Sequence, residues 1–284
     1  MAPTSDQYFK GWAKPGPLLP DSGITADVGE SLDAISGHFK LFQYEKGHRF
    51  STDDVLVAWY GTAGCPSAGS VLDLGSGIGS VGMIAAWRLR GARFVTVEAQ
   101  DISVKLARKS AKFNGLENRY EIRQGDFRDP GVLSDGEKFD LVLGSPPYFP
   151  LDTGILAEHP QKVACRFEVR GSIADYCAVA SRHLEMGGVF ATIFPVAQLE
   201  RVRESAREAG LCIVRSRDII FREGELPLLA VFLMMKSEHL PEKIRDVCAK
   251  QGQLFQESPL CIRTLRGDVH PEYSALKLSV GFPP

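Results

Sequence analysis

The stretch Val71-Leu-Asp-Leu-Gly-Ser-Gly-Ile-Gly79 decides the fold of this 284-residue chain. Its apolar run ends abruptly in glycines, which is typical of a buried parallel strand that turns into a helix. A second run, Phe139-Asp-Leu-Val-Leu-Gly-Ser-Pro-Pro-Tyr-Phe149, also ends in turn residues. Ligands of open α/β sheets bind at the carboxyl ends of the strands. The two runs therefore predict one site at a sheet edge, with a ligand cradle after the first and a reaction loop after the second.

The order of the predicted elements indicates the fold class. Strand and helix patterns alternate from residue 70 to residue 145, which implies parallel strands with right-handed crossovers. Two later apolar runs, 211–220 and 226–236, flank the turn 222–225 and predict an antiparallel hairpin. We expect a Rossmann-like α/β fold: a seven-stranded, mostly parallel sheet with helices on both faces and a C-terminal antiparallel hairpin. Residues 260–263 and the tail around Tyr273 are expected to form a small addition on the substrate side.

The N-terminal segment differs in composition from the rest. Residues 1–37 contain four prolines and many small polar residues, and we expect an extended or partly disordered segment there. Residues 38–284 are expected to form one domain. The longest apolar run, Leu228 to Met235, is too short to cross a bilayer, so no membrane partner is predicted.

Charge and cysteine content narrow the function classes. The net charge of −2 argues against extended nonspecific nucleic-acid wrapping, although it allows a local basic patch. The six cysteines include no Cys-x-x-Cys, so we predict no metal site and expect free thiols in a reducing, cytoplasmic location. Six arginines between residues 201 and 222 are interpreted mainly as solvated surface. The sequence does not indicate an oligomeric state.

The residues around the first run carry cofactor chemistry. Gly75 and Gly77 tolerate the backbone conformations of a tight turn and allow close ligand approach. Asp73, just before them, can accept a hydrogen bond from a ligand ammonium. Glu98 ends the next predicted strand, where a carboxylate suits ribose hydroxyls. Asp126 follows a third strand and can accept a hydrogen bond from the exocyclic amine of adenine. We include the adjacent Phe127, and Ser145 of the second run, in the cofactor site.

A ligand with an ammonium group, a ribose and an adenine is S-adenosylmethionine, which is the predicted cofactor. Dinucleotide binding is the alternative, and Gly-x-Gly-x-Gly by itself also fits an ordinary strand-to-helix turn. Ser80 stands where the dinucleotide fingerprint Gly-x-Gly-x-x-Gly needs its third glycine.

The second run resembles the reaction loop of class I methyltransferases that act on amino groups, and this resemblance implies methylation at an amino nitrogen. Such a nitrogen is a poor nucleophile, and an enzyme can help by accepting its N–H bonds. The Ser145 side chain and the Pro146 carbonyl are candidates for this role, while Pro147 stiffens the backbone. The Tyr148 ring can stack on a planar base, a contact worth ~1–3 kcal/mol, and we include Phe149 in the substrate site. The alternative is that Ser-Pro-Pro-Tyr forms only a turn.

These motifs resemble the class I methyltransferases that act on amino groups. The chain from about residue 42 onwards is more closely similar to bacterial adenine-N6 methyltransferases of the valine-tRNA anticodon loop. The further matching pieces are Arg49-Phe-Ser-Thr-Asp53, Arg166-Phe-Glu168, Gly187-Gly188 and His270-Pro-Glu-Tyr-Ser-Ala275.

The resemblance implies an S-adenosylmethionine-dependent methyltransferase that acts on adenine N6 in tRNA or another RNA. It also implies that Thr52 and Asp53 cover the methionine end of the cofactor, besides any role as a helix N-cap. Arg166 is the candidate for a phosphate or base contact, since it follows the reaction loop.

Ser145 departs from the adenine pattern, which has Asn or Asp at this place. Serine here is typical of cytosine-N4 enzymes. Cytosine N4, a protein glutamine amide and a non-catalytic cofactor-binding subunit therefore remain open as alternatives.

Overall fold

The computed structural model describes residues 7–149 and 168–284. The strands are β1 Tyr8–Phe9, β2 Trp12–Ala13, β3 Glu30–Ala34, β4 Lys40–Tyr44, β5 Ser70–Leu74, β6 Arg93–Glu98, β7 Tyr120–Gln124, β8 Phe139–Gly144, β9 Leu184–Pro195, β10 Leu211–Arg222, β11 Leu229–Lys236 and β12 Gln256–Arg263. The α-helices are α1 Thr52–Gly64, α2 Ser80–Arg88, α3 Asp101–Phe113, α4 Ile173–His183, α5 Leu199–Glu208, α6 Glu242–Gln251 and α7 Pro271–Ser279. Short 3-10 turns lie at Glu168–Arg170, Val196–Gln198 and Ser237–His239.

The central sheet has the order β12-β10-β11-β9-β8-β5-β6-β7. Strands β5 to β9 pair in parallel, whereas β11 runs antiparallel to both β9 and β10. The predicted fold class and the antiparallel hairpin are confirmed. The described sheet has eight strands rather than seven, because residues 256–263 pair in parallel with β10 instead of forming a separate addition.

Helices cover both faces of the sheet, as predicted. Successive residues of a strand point to opposite faces: Leu141 and Leu143 pack with α1 and α2, and Val142 packs with α4 and α5. All three side chains are fully buried. Because the core lies on both sides of β5 and β8, the carboxyl ends of these strands are held rigidly.

Part of the N-terminal segment is ordered as a strand. β3 pairs antiparallel with β4, and Lys109 of α3 contacts both Asp27 (2.7 Å) and Glu30 (2.6 Å). This hairpin ties residues 27–44 to the α3 side of the sheet. The domain boundary at residue 37 stays a prediction.

Two of the six cysteines are cross-linked. A disulfide joins Cys212 at the start of β10 to Cys248 of α6, so the expectation of free thiols is wrong for this pair. Sequence spacing does not reveal that two cysteines 36 residues apart meet in space.

No helix within residues 7–149 and 168–284 combines the length and apolarity needed to cross a membrane.

Candidate cofactor and reaction site

A cavity of about 450 Å³ lies at the carboxyl ends of β5, β6 and β8. Both predicted parts of the site meet there. The predicted residues that line it are Asp53, Asp73, Gly75, Gly77, Glu98, Asp126, Phe127, Ser145, Pro146, Pro147, Tyr148 and Phe149. The volume is in the range of small-molecule pockets, about 300–1,000 Å³.

Two glycines shape the floor of the cavity. Gly75 (φ +60°) and Gly77 (φ +56°) adopt the left-handed conformation that favours glycine. A Cβ at Gly75 would stand 2.1 Å from the Tyr176 hydroxyl, so no side chain fits there. The backbone of the turn can therefore come close to a ligand.

Two predicted carboxylates are buried behind this turn. Asp73 accepts a hydrogen bond from the Gly82 amide of α2 (3.0 Å). Glu98 accepts from the amides of Gly77 (2.9 Å) and Gln100 (2.6 Å). Each carboxylate oxygen can accept more than one hydrogen bond, so both groups keep capacity for a ligand. Burial raises the pKa of Asp73 and of Glu98, and a cation in the cavity would favour their charged forms.

At the part of the cavity where we expect the adenine of the cofactor, the carboxylate has a lowered pKa, unlike Asp73 and Glu98. Asp126 is held by Arg128, whose Nη2 lies 2.6 Å from its Oδ2, and this contact lowers the pKa of the carboxyl. The Phe127 ring meets the Tyr176 ring edge-on, with 4.7 Å between centroids. Asp126 thus remains a charged acceptor at the cavity wall.

The reaction loop joins the cavity at the end of β8. Pro146 and Pro147 are buried. The Tyr148 hydroxyl donates to Asp53 Oδ2 at 2.6 Å, and the Ser145 side chain hydrogen-bonds with the same hydroxyl. Burial and the nearby Asp53 raise the pKa of Tyr148, so the phenol stays protonated and can donate. The Tyr148 ring packs edge-on against Phe194, with 5.6 Å between centroids.

A polar chain supports this loop from behind. Gln198 Nε2 donates to the Tyr148 carbonyl (2.9 Å), and Arg201 donates to the Gln198 side-chain oxygen (3.1 Å). Arg201 also pairs with Glu168 (2.6 Å), whose own amide donates to the Phe149 carbonyl (2.9 Å). Arg201 belongs to the group of arginines interpreted mainly as solvated surface, but its side chain here supports Gln198 and Glu168, which bond to the backbone of the reaction loop.

Several lining residues were not predicted: His48, Ser51, Asp54, Ser80, Gln100, Arg170 and Tyr176 are among them. Asp54 is the most buried acid of α1; it accepts from the Ser51 amide (3.0 Å) and the Ser80 hydroxyl (3.1 Å). Burial raises its pKa to about 6. The spacing Ser51-x-x-Asp54 signals a helix start, which it is, but nothing in it signals the cavity.

One predicted residue, Thr52, is not brought into this cavity, and another, Arg166, cannot be compared with it. Thr52 begins α1, does not line the cavity, and hydrogen-bonds with Tyr273 of α7. Arg166 lies outside the described residues. The roles proposed for both, and for the lining residues, remain predictions.

The cavity fits a cationic cofactor. Its described wall includes five carboxylates but only one arginine, Arg170, so a bound cation would offset their mutual repulsion. S-adenosylmethionine combines a sulfonium and an ammonium with an adenosine. Asp73, Glu98 and Asp126 would hold this cofactor, and the turn at Gly75 and Gly77 would pack against it.

Comparison with known proteins agrees with this chemistry. A family model described as a methyltransferase domain matches residues 66–258. The chain belongs to this methyltransferase family. The tRNA1(Val) (adenine(37)-N6)-methyltransferase of Shewanella amazonensis is 31% identical over 219 residues, which are 74% of this chain and 90% of that protein.

Two other known proteins resemble this chain, one in part of its sequence and one in its fold. The release factor glutamine methyltransferase of Aliivibrio fischeri is 41% identical over 83 residues, 29% of this chain and 28% of that protein. A solved structure of a predicted O-methyltransferase from Agrobacterium tumefaciens has a TM-score of 0.59 at 18% identity and covers 81% of this chain and 98% of its own. The latter shows the shared fold. The chain is an S-adenosylmethionine-dependent methyltransferase, as the motifs predicted.

Proposed function

We propose that this methyltransferase transfers a methyl group to an exocyclic amine of a nucleobase, with adenine N6 in tRNA or another RNA as the favoured acceptor. One observation carries the proposal: the Ser145-Pro-Pro-Tyr148 loop opens into the acidic cofactor cavity, with the Tyr148 hydroxyl bonded to Asp53. The name of the Shewanella amazonensis relative supports the choice of adenine in tRNA. We propose that the enzyme works in the cytoplasm.

The chain's own residues supply alignment rather than an acid or base of unusual strength. The Ser145 oxygen and the Pro146 carbonyl accept the N–H bonds of the amine, which turns its lone pair toward the cofactor. Tyr148 offers a ring face to the base, and Asp53 holds that ring by its hydroxyl. When bound, S-adenosylmethionine supplies a methyl group activated by the positive sulfur. Correct alignment alone can lower a barrier by ~7–11 kcal/mol.

Serine at position 145 is compatible with this role. A hydroxyl both donates and accepts. If Ser145 donates to the Tyr148 oxygen, its lone pairs are left to accept an N–H bond from the substrate. The same arrangement suits cytosine N4, which is the alternative base.

The test combines cofactor binding with product analysis. We expect isothermal titration to detect S-adenosylmethionine binding, and methyl transfer to unfractionated tRNA to yield N6-methyladenosine by nucleoside mass spectrometry. N4-methylcytidine would replace adenine by cytosine in the proposal. Ser145→Ala should lower the rate without abolishing cofactor binding, whereas gained activity in Ser145→Asn would indicate a weakened natural site.

A protein glutamine amide is the second candidate acceptor, because the Aliivibrio fischeri relative is named for that reaction and is 41% identical over 83 residues. Incubation with a release factor, followed by peptide mass spectrometry, distinguishes the two. Methylation of the protein but not of RNA would overturn the nucleobase proposal. Cofactor binding with no methylated product would favour the third candidate, a non-catalytic supporting subunit.

A further inference from the structure

Four cations lie close together near the carboxyl ends of β10 and β12, at the edge of the sheet that also holds the cavity. We call Arg222, Arg263, Arg266 and Lys277 the C-terminal cationic cluster. Arg222 ends β10 and Arg263 ends β12, and the two are register partners across these parallel strands. Both arginines and Arg266 are exposed, and Lys277 is half-buried.

The cluster converges on one turn. Arg263 Nη1 donates to the Gly267 carbonyl (2.9 Å). Arg222 Nη2 lies 3.8 Å from the position that a Cβ on Gly267 would occupy, and Arg266 precedes this glycine. Burial lowers the pKa of Lys277, and the positive charge of Arg263 lowers it further. Lys277 is therefore close enough to Arg263 to interact with the cluster electrostatically. Like charges at paired sheet positions repel each other.

Two acids of the neighbouring segments, Glu223 and Glu272, have partners outside the cluster. Within residues 7–149 and 168–284, no member of the cluster forms an ion pair with a carboxylate. Glu223 instead accepts from the Leu265 amide (2.9 Å), and its carboxylate faces His270 at 3.7 Å. Glu272 pairs with Arg217. The described part of the chain thus holds these four cations together without an ion-paired carboxylate for any of them.

The cluster is connected to the reaction loop through one side chain. Tyr273 of α7 hydrogen-bonds with Thr52 at the start of α1, and the charges of Asp53 and Arg263 both act on its hydroxyl. Asp53 in turn binds the Tyr148 hydroxyl. A substrate whose reacting base lies at Tyr148 would therefore bring its adjoining chain toward these cations.

We propose that the C-terminal cationic cluster binds backbone phosphates of the RNA substrate next to the reaction loop. This inference rests on the proposed function. Phosphates would give these cations a counter-charge, and guanidinium groups bind phosphates in a bidentate manner. The cluster explains how a chain with a net charge of −2 can hold a polyanion: the positive charge is local.

The test uses charge-matched pairs of substitutions. R263Q/K277Q and R222Q/R266Q each remove two charges from the cluster. The control R245Q/K250Q removes two charges from α6, beside the groove near the start of β10 at the opposite end of the strand. Binding of unfractionated tRNA is measured by fluorescence anisotropy over a range of salt concentrations, together with kcat, KM for tRNA, and S-adenosylmethionine affinity.

We expect each cluster variant to weaken tRNA binding about tenfold and to lower the salt slope by roughly 0.7–0.9 for each phosphate that the variant no longer neutralises. KM should rise, while kcat and cofactor affinity stay near wild type and the control variant binds tRNA normally. If the wild type methylates tRNA but both cluster variants bind it as the control does, the cluster proposal is wrong and the proposed function stands. If the wild type neither binds nor methylates RNA, the proposed function fails, and the cluster proposal with it.

Discussion

At the scale of single residues, the bond between Tyr148 and Asp53 links the reaction loop to the helix beside it. Tyr148→Phe removes a 2.6 Å hydrogen bond to a carboxylate but keeps the ring packing on Phe194. Hydrogen bonds to charged groups contribute about 1.5–3 kcal/mol. We expect kcat to fall by about 10- to 100-fold with a smaller change in cofactor affinity, measured by single-turnover kinetics and titration calorimetry. An unchanged rate would show that the hydroxyl does not hold the ring for catalysis.

The raised pKa of Asp54 predicts how the free energy of unfolding changes with pH. Burial raises its pKa to about 6, so the folded protein binds a proton there that the unfolded chain releases near pH 4. The contribution of this group to stability is therefore complete at low pH and is lost as pH rises through about 6. In the cofactor-free protein, Asp54→Asn should become more stable relative to wild type by ~2–3 kcal/mol between pH 4 and pH 7.

Urea unfolding of both proteins at a series of pH values measures this difference. Adding S-adenosylmethionine should reduce it, because a cation favours the charged form of Asp54. Parallel pH profiles of the two cofactor-free proteins would show that folding does not raise the pKa of Asp54.

At the scale of elements, the segment between β9 and α5 controls the backbone of the reaction loop. Gln198→Ala removes the donor to the Tyr148 carbonyl and one partner of Arg201. We expect kcat for methyl transfer to fall severalfold, with cofactor affinity unchanged, because the loop loses alignment while the cofactor wall stays intact. Arg207→Ala, an exposed change on the adjoining helix α5, is the control and should behave as wild type. Equal rates in all three proteins would exclude a positioning role for Gln198.

The central elements could be predicted from sequence because their signals are local. β5 and β8 are apolar runs that end in turn residues, and α3 has a clear amphipathic pattern. The edge strand β12 does not stand out in the sequence because only Leu260 and Ile262 of its eight residues are hydrophobic and buried. β3 is hidden for a similar reason: it is half-buried and pairs with β4 through its backbone.

The same distinction applies to the candidate site. Asp73, Glu98 and Ser145 lie at the ends of strands, so their meeting at one edge follows from the topology. Asp54, Gln198 and Arg201 act through contacts between distant segments, and no spacing in the sequence indicates those contacts. Packing in three dimensions, rather than any motif, determines them.

At the scale of the whole molecule, the two edges of the central sheet, at opposite ends of its parallel strands, carry different features. The carboxyl ends hold the cavity, the reaction loop and the C-terminal cationic cluster, while the opposite end holds the Cys212–Cys248 link between β10 and α6. A change at the second end should alter stability without altering the chemistry at the first. This separation can be tested with the disulfide.

Cys248→Ser opens a cross-link between residues 36 positions apart. Closing a loop of this length limits the unfolded chain and contributes roughly 3–4 kcal/mol to stability in the chain-entropy account. In oxidised protein we expect Cys248→Ser to lower the free energy of unfolding in urea by about that amount. In the presence of a thiol reductant the difference should shrink, because wild type then lacks the cross-link as well. Cofactor affinity and kcat should match wild type at temperatures well below unfolding, since the cavity lies at the other end of the strands. Equal urea stability of the oxidised proteins would show that the pair does not form in solution, and a loss of cofactor affinity would show that the two ends are coupled.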